Sequence, residues 1–177
     1  MKDLGMIRYF LGIEVWQYPY EIFLNKRKYT VEILKRFVMM DCKDMTTPMT
    51  TNLKFLNDDS LKIVDVILYR QIMGSLMYLT NMRLDIWFVV NTLSQYMVKP
   101  KHIHLVGSKH AMWYLKAALD YGLRYASNGE IILHGFTYLD WVGSVEDKNS
   151  TSRCCFSLGS CMISWFSKKK SSISLST

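Results

Sequence analysis

The spacing of apolar residues changes near residue 120, and this change limits the folds that the chain can adopt. Between residues 68 and 119, apolar residues recur every three or four positions, which is the spacing of one face of an α-helix. From residue 123 onward they fall in short runs separated by turn-forming residues such as Gly159-Ser160, which is typical of paired strands. The sequence therefore predicts an α+β chain in which helices precede a β-sheet.

Three helices are expected between residues 68 and 119. The first carries Gly74-Ser75, which would let a neighbouring helix come close, and the other two cover residues 84–97 and 104–119. The apolar face of the first consists of Leu68, Ile72, Leu76 and Leu79. Because each helix has one apolar stripe, we expect the three to pack on one another. Four strands are then expected, at residues 123–126, 131–138, 154–158 and 161–167.

The first forty residues predict a hairpin followed by a helix. Residues 6–15 are rich in β-branched and aromatic side chains and predict a strand with Gly12 inside it. Tyr18-Pro19-Tyr20 supplies a turn to a second short strand at residues 22–24. Thr30 is the expected N-cap of a helix that runs to about residue 40, and a polar loop should follow it.

Composition and charge narrow the class of protein. Half of the residues are apolar, with 3 prolines and 9 glycines, which favours a packed chain over a disordered one. Four cysteines at spacings unlike those of zinc sites indicate reduced thiols, and with no apparent signal peptide or membrane span we expect an intracellular protein, cytoplasmic or nuclear. The net charge is +7, and residues 61–128 hold 8 basic against 3 acidic residues, a bias that suits a surface facing phosphates.

Several strings resemble the reverse transcriptase and ribonuclease H region of copia-type LTR retrotransposons, and they occur in the family's order along nearly the whole chain. They are Tyr9-Phe10-Leu11-Gly12-Ile13-Glu14-Val15, Thr47-Pro48-Met49, Gly74-Ser75-Leu76-Met77-Tyr78-Leu79-Thr80, Tyr114-Leu115-Lys116, Asp140-Trp141, Ser150-Thr151-Ser152 and Ile163-Ser164-Trp165. The resemblance implies three parts. Residues 1–40 would be the end of the polymerase palm with the first thumb-like helix, 41–120 a helical thumb and connection, and 121–177 a truncated ribonuclease H-like domain.

The resemblance also implies a nucleic-acid-binding site. Residues 10–13 are similar to the family's primer-grip turn, where Gly12 would let the backbone approach phosphates, and a basic triplet follows shortly after. The candidate site residues are Phe10, Leu11, Gly12, Lys26, Arg27, Lys28, Lys109 and Lys116. The expected partner is duplex or RNA–DNA hybrid nucleic acid, bound without sequence preference. The alternative is that Phe10 and Ile13 are ordinary core residues and that the triplet is a solvated loop.

The carboxylates that the family uses to hold two Mg²⁺ ions are expected to be missing. Asp58-Asp59 lies in a polar loop and does not replace the polymerase's aspartate pair, and the ribonuclease H position two residues before Asp140 is Tyr138. The next catalytic glutamate would fall beyond Thr177. No metal site is expected at the histidines either. Glycine is usual in the family at Arg153, so its replacement is expected to be costly if the backbone there needs a positive φ.

These observations predict a catalytically inactive polyprotein fragment with at most residual nucleic-acid binding and no bound cofactor. The alternative is a module recruited for protein interaction, of the host or effector type. Exposed apolar surface would also favour self-association.

Overall fold

In the computed structural model, residues 5–49, 62–126, 131–140 and 151–169 are described. They contain four α-helices and seven strands in two antiparallel sheets, which confirms the α+β prediction. The elements are β1 (Tyr9–Phe10), β2 (Ile13–Tyr18), β3 (Glu21–Asn25), α1 (Arg27–Arg36), α2 (Val66–Leu79), α3 (Leu84–Ser94), α4 (His102–Ala117), β4 (Leu123–Ala126), β5 (Leu133–Asp140), β6 (Thr151–Leu158) and β7 (Cys161–Lys169). The strand orders are β1-β2-β3-β4 and β5-β6-β7.

The described residues divide into two compact units. The first contains those up to residue 17 together with 23–122, and the second contains 18–22 together with those from 123 onward. The division between Gly122 and Leu123 lies where the apolar spacing changes from helical to strand-like. None of the helices in the described part of the chain is long and apolar enough to cross a membrane.

The core of the first unit lies among its four helices. Asp65 starts α2 by accepting hydrogen bonds from the backbone N–H groups of Ile67 and Leu68 at 2.8 and 3.3 Å. The most deeply buried apolar side chains are Ile33, Leu34, Tyr69, Ile72, Met73, Leu76, Leu79, Ile86, Val89, Val90, Leu93, Ala111, Met112 and Leu115. These side chains recur at helical spacing, so each helix buries one face against the others.

The predicted packing face of α2 wrongly includes Leu68 and omits two buried residues. Leu68 is exposed, whereas Tyr69 and Met73 are buried, because α2 contacts both α3 and α4 and its buried face turns toward both. The expected close helix approach at Gly74 is also wrong. A side chain built at Gly74 would meet open space, so the glycine there is not needed for packing.

Two boundaries in the first forty residues also differ from the prediction. Residues 6–15 are not one strand, because the chain turns at Leu11 and Gly12 between β1 and β2. Thr30 is not a helix N-cap: it lies inside α1, where its hydroxyl donates to the carbonyl oxygen of Lys26 at 2.9 Å. The helix ends at Arg36, and the positive φ of Val38 (56°) takes the chain away from the helical path.

The second sheet is a meander that agrees with the predicted strands. Strands β6 and β7 meet at the predicted turn, where Gly159 has a φ of 56° that glycine adopts without steric cost. The positive φ that would make Arg153 costly is absent, because Arg153 lies in extended β6 and pairs with Tyr138 and Ser167. Any side chain with a Cβ fits that backbone, so the replacement of glycine does not strain it.

Candidate nucleic-acid interface

The tip of the β1–β2 hairpin is a two-residue turn. Phe10 pairs with Ile13, which leaves Leu11 and Gly12 in the turn with φ of 48° and 78°. Two positive φ values are typical of the type I′ turn, whose twist matches that of antiparallel strands. Glycine adopts this conformation freely, but for Leu11 it costs roughly 1–2 kcal/mol. The tip is open to solvent, since Phe10 is 57% and Leu11 74% exposed.

Tyr78, in the last turn of α2, contacts this turn. Its hydroxyl donates to the carbonyl oxygen of Leu11 at 2.9 Å, and its ring meets the Tyr29 ring edge-on with centroids 4.7 Å apart. A Cβ at Gly12 would lie 2.9 Å from the same hydroxyl oxygen, so a side chain there would displace it. Within the chain, Gly12 is therefore explained by its positive φ and by the approach of Tyr78.

Lys26 is placed differently from the surface position that the sequence predicted for it. Its side chain is only 3% exposed, and its ammonium donates to the carbonyl oxygen of Tyr78 at 3.1 Å and lies 3.4 Å from the centroid of the Tyr78 ring. Burial lowers the pKa of Lys26 from its usual value. Since α2 has no basic residue in its own last turn, Lys26 supplies the cation that a helix C-terminus favours. It does not face solvent beside Arg27 and Lys28.

Arg27 and Lys28, by contrast, lie on the surface, and Lys28 lies beside the hairpin. They are 55% and 69% exposed, and the Lys28 ammonium lies 4.9 Å from the centroid of the Tyr9 ring. The guanidinium of Arg27 is 3.3 Å from a carboxylate oxygen of Asp120, and the ammonium of Lys28 is 3.9 Å from Glu14. The Arg27–Asp120 pair is exposed on both sides and contributes about 0–1 kcal/mol, so Asp120 holds Arg27 only weakly, whereas the Glu14 side chain that faces Lys28 is 12% exposed.

Lys109 and Lys116 lie seven residues apart on α4, which places them about two turns apart on one side of the helix. The ammonium of Lys116 already has partners within the chain: it donates to the carbonyl oxygen of Cys42 at 2.5 Å and pairs with Asp44 at 2.9 Å. Lys109 is half-buried. Lys101, another of the basic residues in 61–128, is buried. The basic bias of residues 61–128 is therefore partly internal.

An ionic network centred on buried Arg83 accounts for more of this charge, and sequence reasoning missed it. Arg83 binds Asp85 through two nitrogens at 2.6–3.2 Å and donates to the carbonyl oxygen of Ala118, next to the end of α4, at 2.8 Å. Tyr114 donates to Asp85 at 2.8 Å. Burial opposes the charge on Asp85, but the hydrogen bonds and charge of Arg83 outweigh it and lower the pKa of that carboxyl. Burial, together with Asp85, raises the pKa of Tyr114 to about 12.

Among the positions predicted to lack catalytic carboxylates, the structure describes those in β5. Tyr138 lies in β5, exposed and paired with Arg153, and Asp140 ends the same strand, although its side chain lies outside the described residues. The predicted loop containing Asp58-Asp59 also lies outside them. Within the described ranges, no group of three or more His, Cys, Asp or Glu residues is placed to hold a metal ion. The four cysteines are free thiols, as the sequence predicted.

Comparison with known proteins gives relatives across the whole chain. It is 37% identical over 173 residues to the retrovirus-related Pol polyprotein from transposon RE2 of Arabidopsis thaliana, a match that spans 98% of this chain and 12% of that polyprotein. It is 36% identical over 177 residues to an uncharacterized mitochondrial protein of the same plant, spanning 100% of this chain and 73% of that protein. Secreted RxLR effector protein 161 of Plasmopara viticola is 36% identical over 110 residues, 62% of this chain and 78% of that protein. No family model and no solved structure matches the chain significantly.

Proposed function

The chain belongs to the copia-type retrotransposon Pol polyproteins, and on that premise we propose that this segment holds nucleic acid without supplying catalytic carboxylates. The observation that carries the proposal is the exposed hairpin tip, Phe10 and Leu11, together with exposed Lys28 over the Tyr9 ring of the same hairpin and exposed Arg27 next to Lys28 in the chain. Cations attract phosphates of any sequence, and an apolar tip can lie against sugars and bases.

The proposed binding has no sequence preference. Reading base pairs requires donors and acceptors aimed at base edges, usually from a helix or ribbon in a groove. The hairpin tip instead offers apolar side chains, and the start of α1 adds two exposed cations, which suit phosphate and sugar contacts. For two phosphate contacts, affinity should fall by roughly one order of magnitude between about 50 and about 200 mM salt.

The proposed lack of catalysis rests on Tyr138. Two-metal nucleases need several anionic oxygens around the ions, and tyrosine side chains are neutral phenols near neutral pH. In the structure Tyr138 takes part in an ordinary antiparallel pair with Arg153. We expect the purified chain to show no DNA synthesis and no cleavage of an RNA–DNA hybrid in Mg²⁺ or Mn²⁺. Metal-dependent turnover above that of a mock preparation would refute this part of the proposal.

Binding is tested with an end-labelled RNA–DNA hybrid of mixed sequence, by fluorescence polarisation over a range of salt concentrations. The variant Arg27→Ala/Lys28→Ala should weaken binding and lower the slope of log affinity against log salt by about one for each phosphate that is no longer neutralised. The control is Lys35→Ala/Arg36→Ala, which removes the same charge from exposed positions at the other end of α1. Equal losses in both variants would mean that net charge, and not this surface, binds the hybrid.

A protein-interaction module is the second candidate function. The observation that favours it is the match to most of the length of a protein named a secreted effector. The two functions differ in their dependence on nucleic acid. Co-purification of a partner that survives nuclease digestion and the Arg27→Ala/Lys28→Ala replacement would favour the interaction module, whereas loss under both treatments would favour nucleic-acid binding.

A further inference from the structure

We infer that Tyr78 is the positioning residue of the candidate nucleic-acid site: its hydroxyl holds the hairpin tip in a turn that Leu11 alone would not maintain. The inference rests on the proposed function, because it assigns the affinity of that site to an uncharged group behind the binding surface. Tyr78 would contact the turn and not the nucleic acid.

The turn needs support from outside the hairpin. Strand β1 has only two residues, so the hairpin around the tip has few backbone hydrogen bonds of its own. Type I′ turns favour Asn or Gly at the first central position, and this chain has Leu11 there with a φ of 48°. A residue in a disfavoured backbone region persists where surrounding structure fixes it, and such positions concentrate at functional sites.

The support comes from a rigid element. Tyr78 belongs to α2, which is anchored in the core through Tyr69, Met73 and Leu76. The ammonium of buried Lys26 packs against one face of the Tyr78 ring and the Tyr29 ring contacts it edge-on. These contacts fix the ring, and the hydroxyl then meets the Leu11 carbonyl oxygen at 2.9 Å. Phe10 and Leu11 are thereby held outward in one conformation.

The conservative variant Tyr78→Phe isolates the hydroxyl. It keeps the ring contacts with Lys26 and Tyr29 and changes no charge. We expect the affinity for the labelled RNA–DNA hybrid to fall about fivefold, a factor that corresponds to about 1 kcal/mol and to one neutral hydrogen bond. The slope against salt should stay unchanged, because no cation is removed.

The matched control is Tyr69→Phe. Tyr69 lies in the same helix, and its hydroxyl also donates to a backbone carbonyl, that of Leu93, at 2.8 Å. Its removal lowers stability in the core but does not touch the hairpin, so affinity should remain within twofold of the wild type. If Tyr69→Phe weakens binding as much as Tyr78→Phe does, the effect is general destabilisation and the inference is wrong.

A double-mutant cycle with Leu11→Asn tests the positioning role directly. Asparagine favours this turn without help, so Tyr78→Phe should no longer change affinity in the Leu11→Asn background. A fivefold loss in both backgrounds would overturn the inference, because the hydroxyl would then act by another route than the turn.

Amide hydrogen exchange at residues 11–15 separates this inference from the proposed function. We expect faster exchange there in Tyr78→Phe and unchanged exchange in Tyr69→Phe. If the wild type does not bind the hybrid at low salt, the proposed function fails, and the assignment of affinity to Tyr78 fails with it. Faster exchange in Tyr78→Phe would in that case still support the contact by which Tyr78 fixes the turn. If wild type binds and Tyr78→Phe binds within twofold of it, the inference fails and the proposed function stands.

Discussion

Protonation of His104 should destabilise the first unit between neutral and mildly acidic pH. His104 is fully buried in α4, its Nδ1 accepts a hydrogen bond from the backbone N–H of Lys101 at 3.0 Å, and its ring stacks on Tyr96 with centroids 3.9 Å apart. Burial, and then the charge of Lys101, lowers the pKa of His104 to about 4. The folded state therefore keeps the imidazole neutral over a range in which the unfolded chain binds a proton.

Proton linkage gives the sign and the size of the change in the free energy of unfolding with pH. Between an unfolded pKa of 6.5 and a folded pKa of about 4, the unfolded state binds more protons, so stability falls as pH falls. At about 1.4 kcal/mol for each pKa unit, the full loss is roughly 3 kcal/mol, of which about 2 kcal/mol should appear between about pH 7 and about pH 5. Asp85 contributes little in this window, because its lowered pKa makes its contribution disappear only below the ordinary carboxyl value of 3.8.

Urea denaturation of the full chain, followed by tryptophan fluorescence at both pH values, measures this loss. His104→Gln should remove about 2 kcal/mol of the pH dependence, because glutamine at this third helical position can still accept from the Lys101 N–H without titrating. The control is His102→Gln, an exposed histidine two residues earlier. The reasoning is refuted if wild type and His104→Gln lose the same free energy between the two pH values.

Three further outcomes are expected. Asp85→Asn should lower the free energy of unfolding by about 2 kcal/mol in the same assay, because buried Arg83 loses its counter-ion while the partly exposed position of Asp85 moderates the cost, and a loss below about 0.5 kcal/mol would contradict this role of the ion pair. Lys26→Met should change stability by less than about 1 kcal/mol, because an apolar chain of similar length can replace a buried ammonium, whereas Lys26→Ala should cost more because it also removes the packing of the side chain. Sedimentation velocity of the wild type should show concentration-dependent self-association, because Phe10 and Leu11 are exposed apolar side chains, and Phe10→Ser/Leu11→Ser should reduce it. A wild type that is monomeric at all concentrations would contradict this prediction of self-association.

The sequence determined the parts of the structure that depend on local repetition. Apolar residues at helical spacing specified α2, α3 and α4 to within about three residues at each end, and the turn at Gly159-Ser160 specified the β6–β7 hairpin. These features could be predicted because a helix or a hairpin is encoded by neighbours a few residues apart. The order of short strings likewise identified the family, since order along the chain requires no folding.

The candidate site depended on contacts between distant parts of the chain. Lys26 belongs to a run of three basic residues and looked like its neighbours, yet it lies in the interior because the carbonyl of Tyr78, 52 residues later, accepts its hydrogen bond and the ring covers its charge. The turn at Leu11 and Gly12 likewise depends on Tyr78, 67 residues away from Leu11. Sequence patterns report which residues are apolar or charged, but the dielectric environment and partner of a charge are set only when helices pack. Tertiary structure therefore decided which of these cations remain exposed.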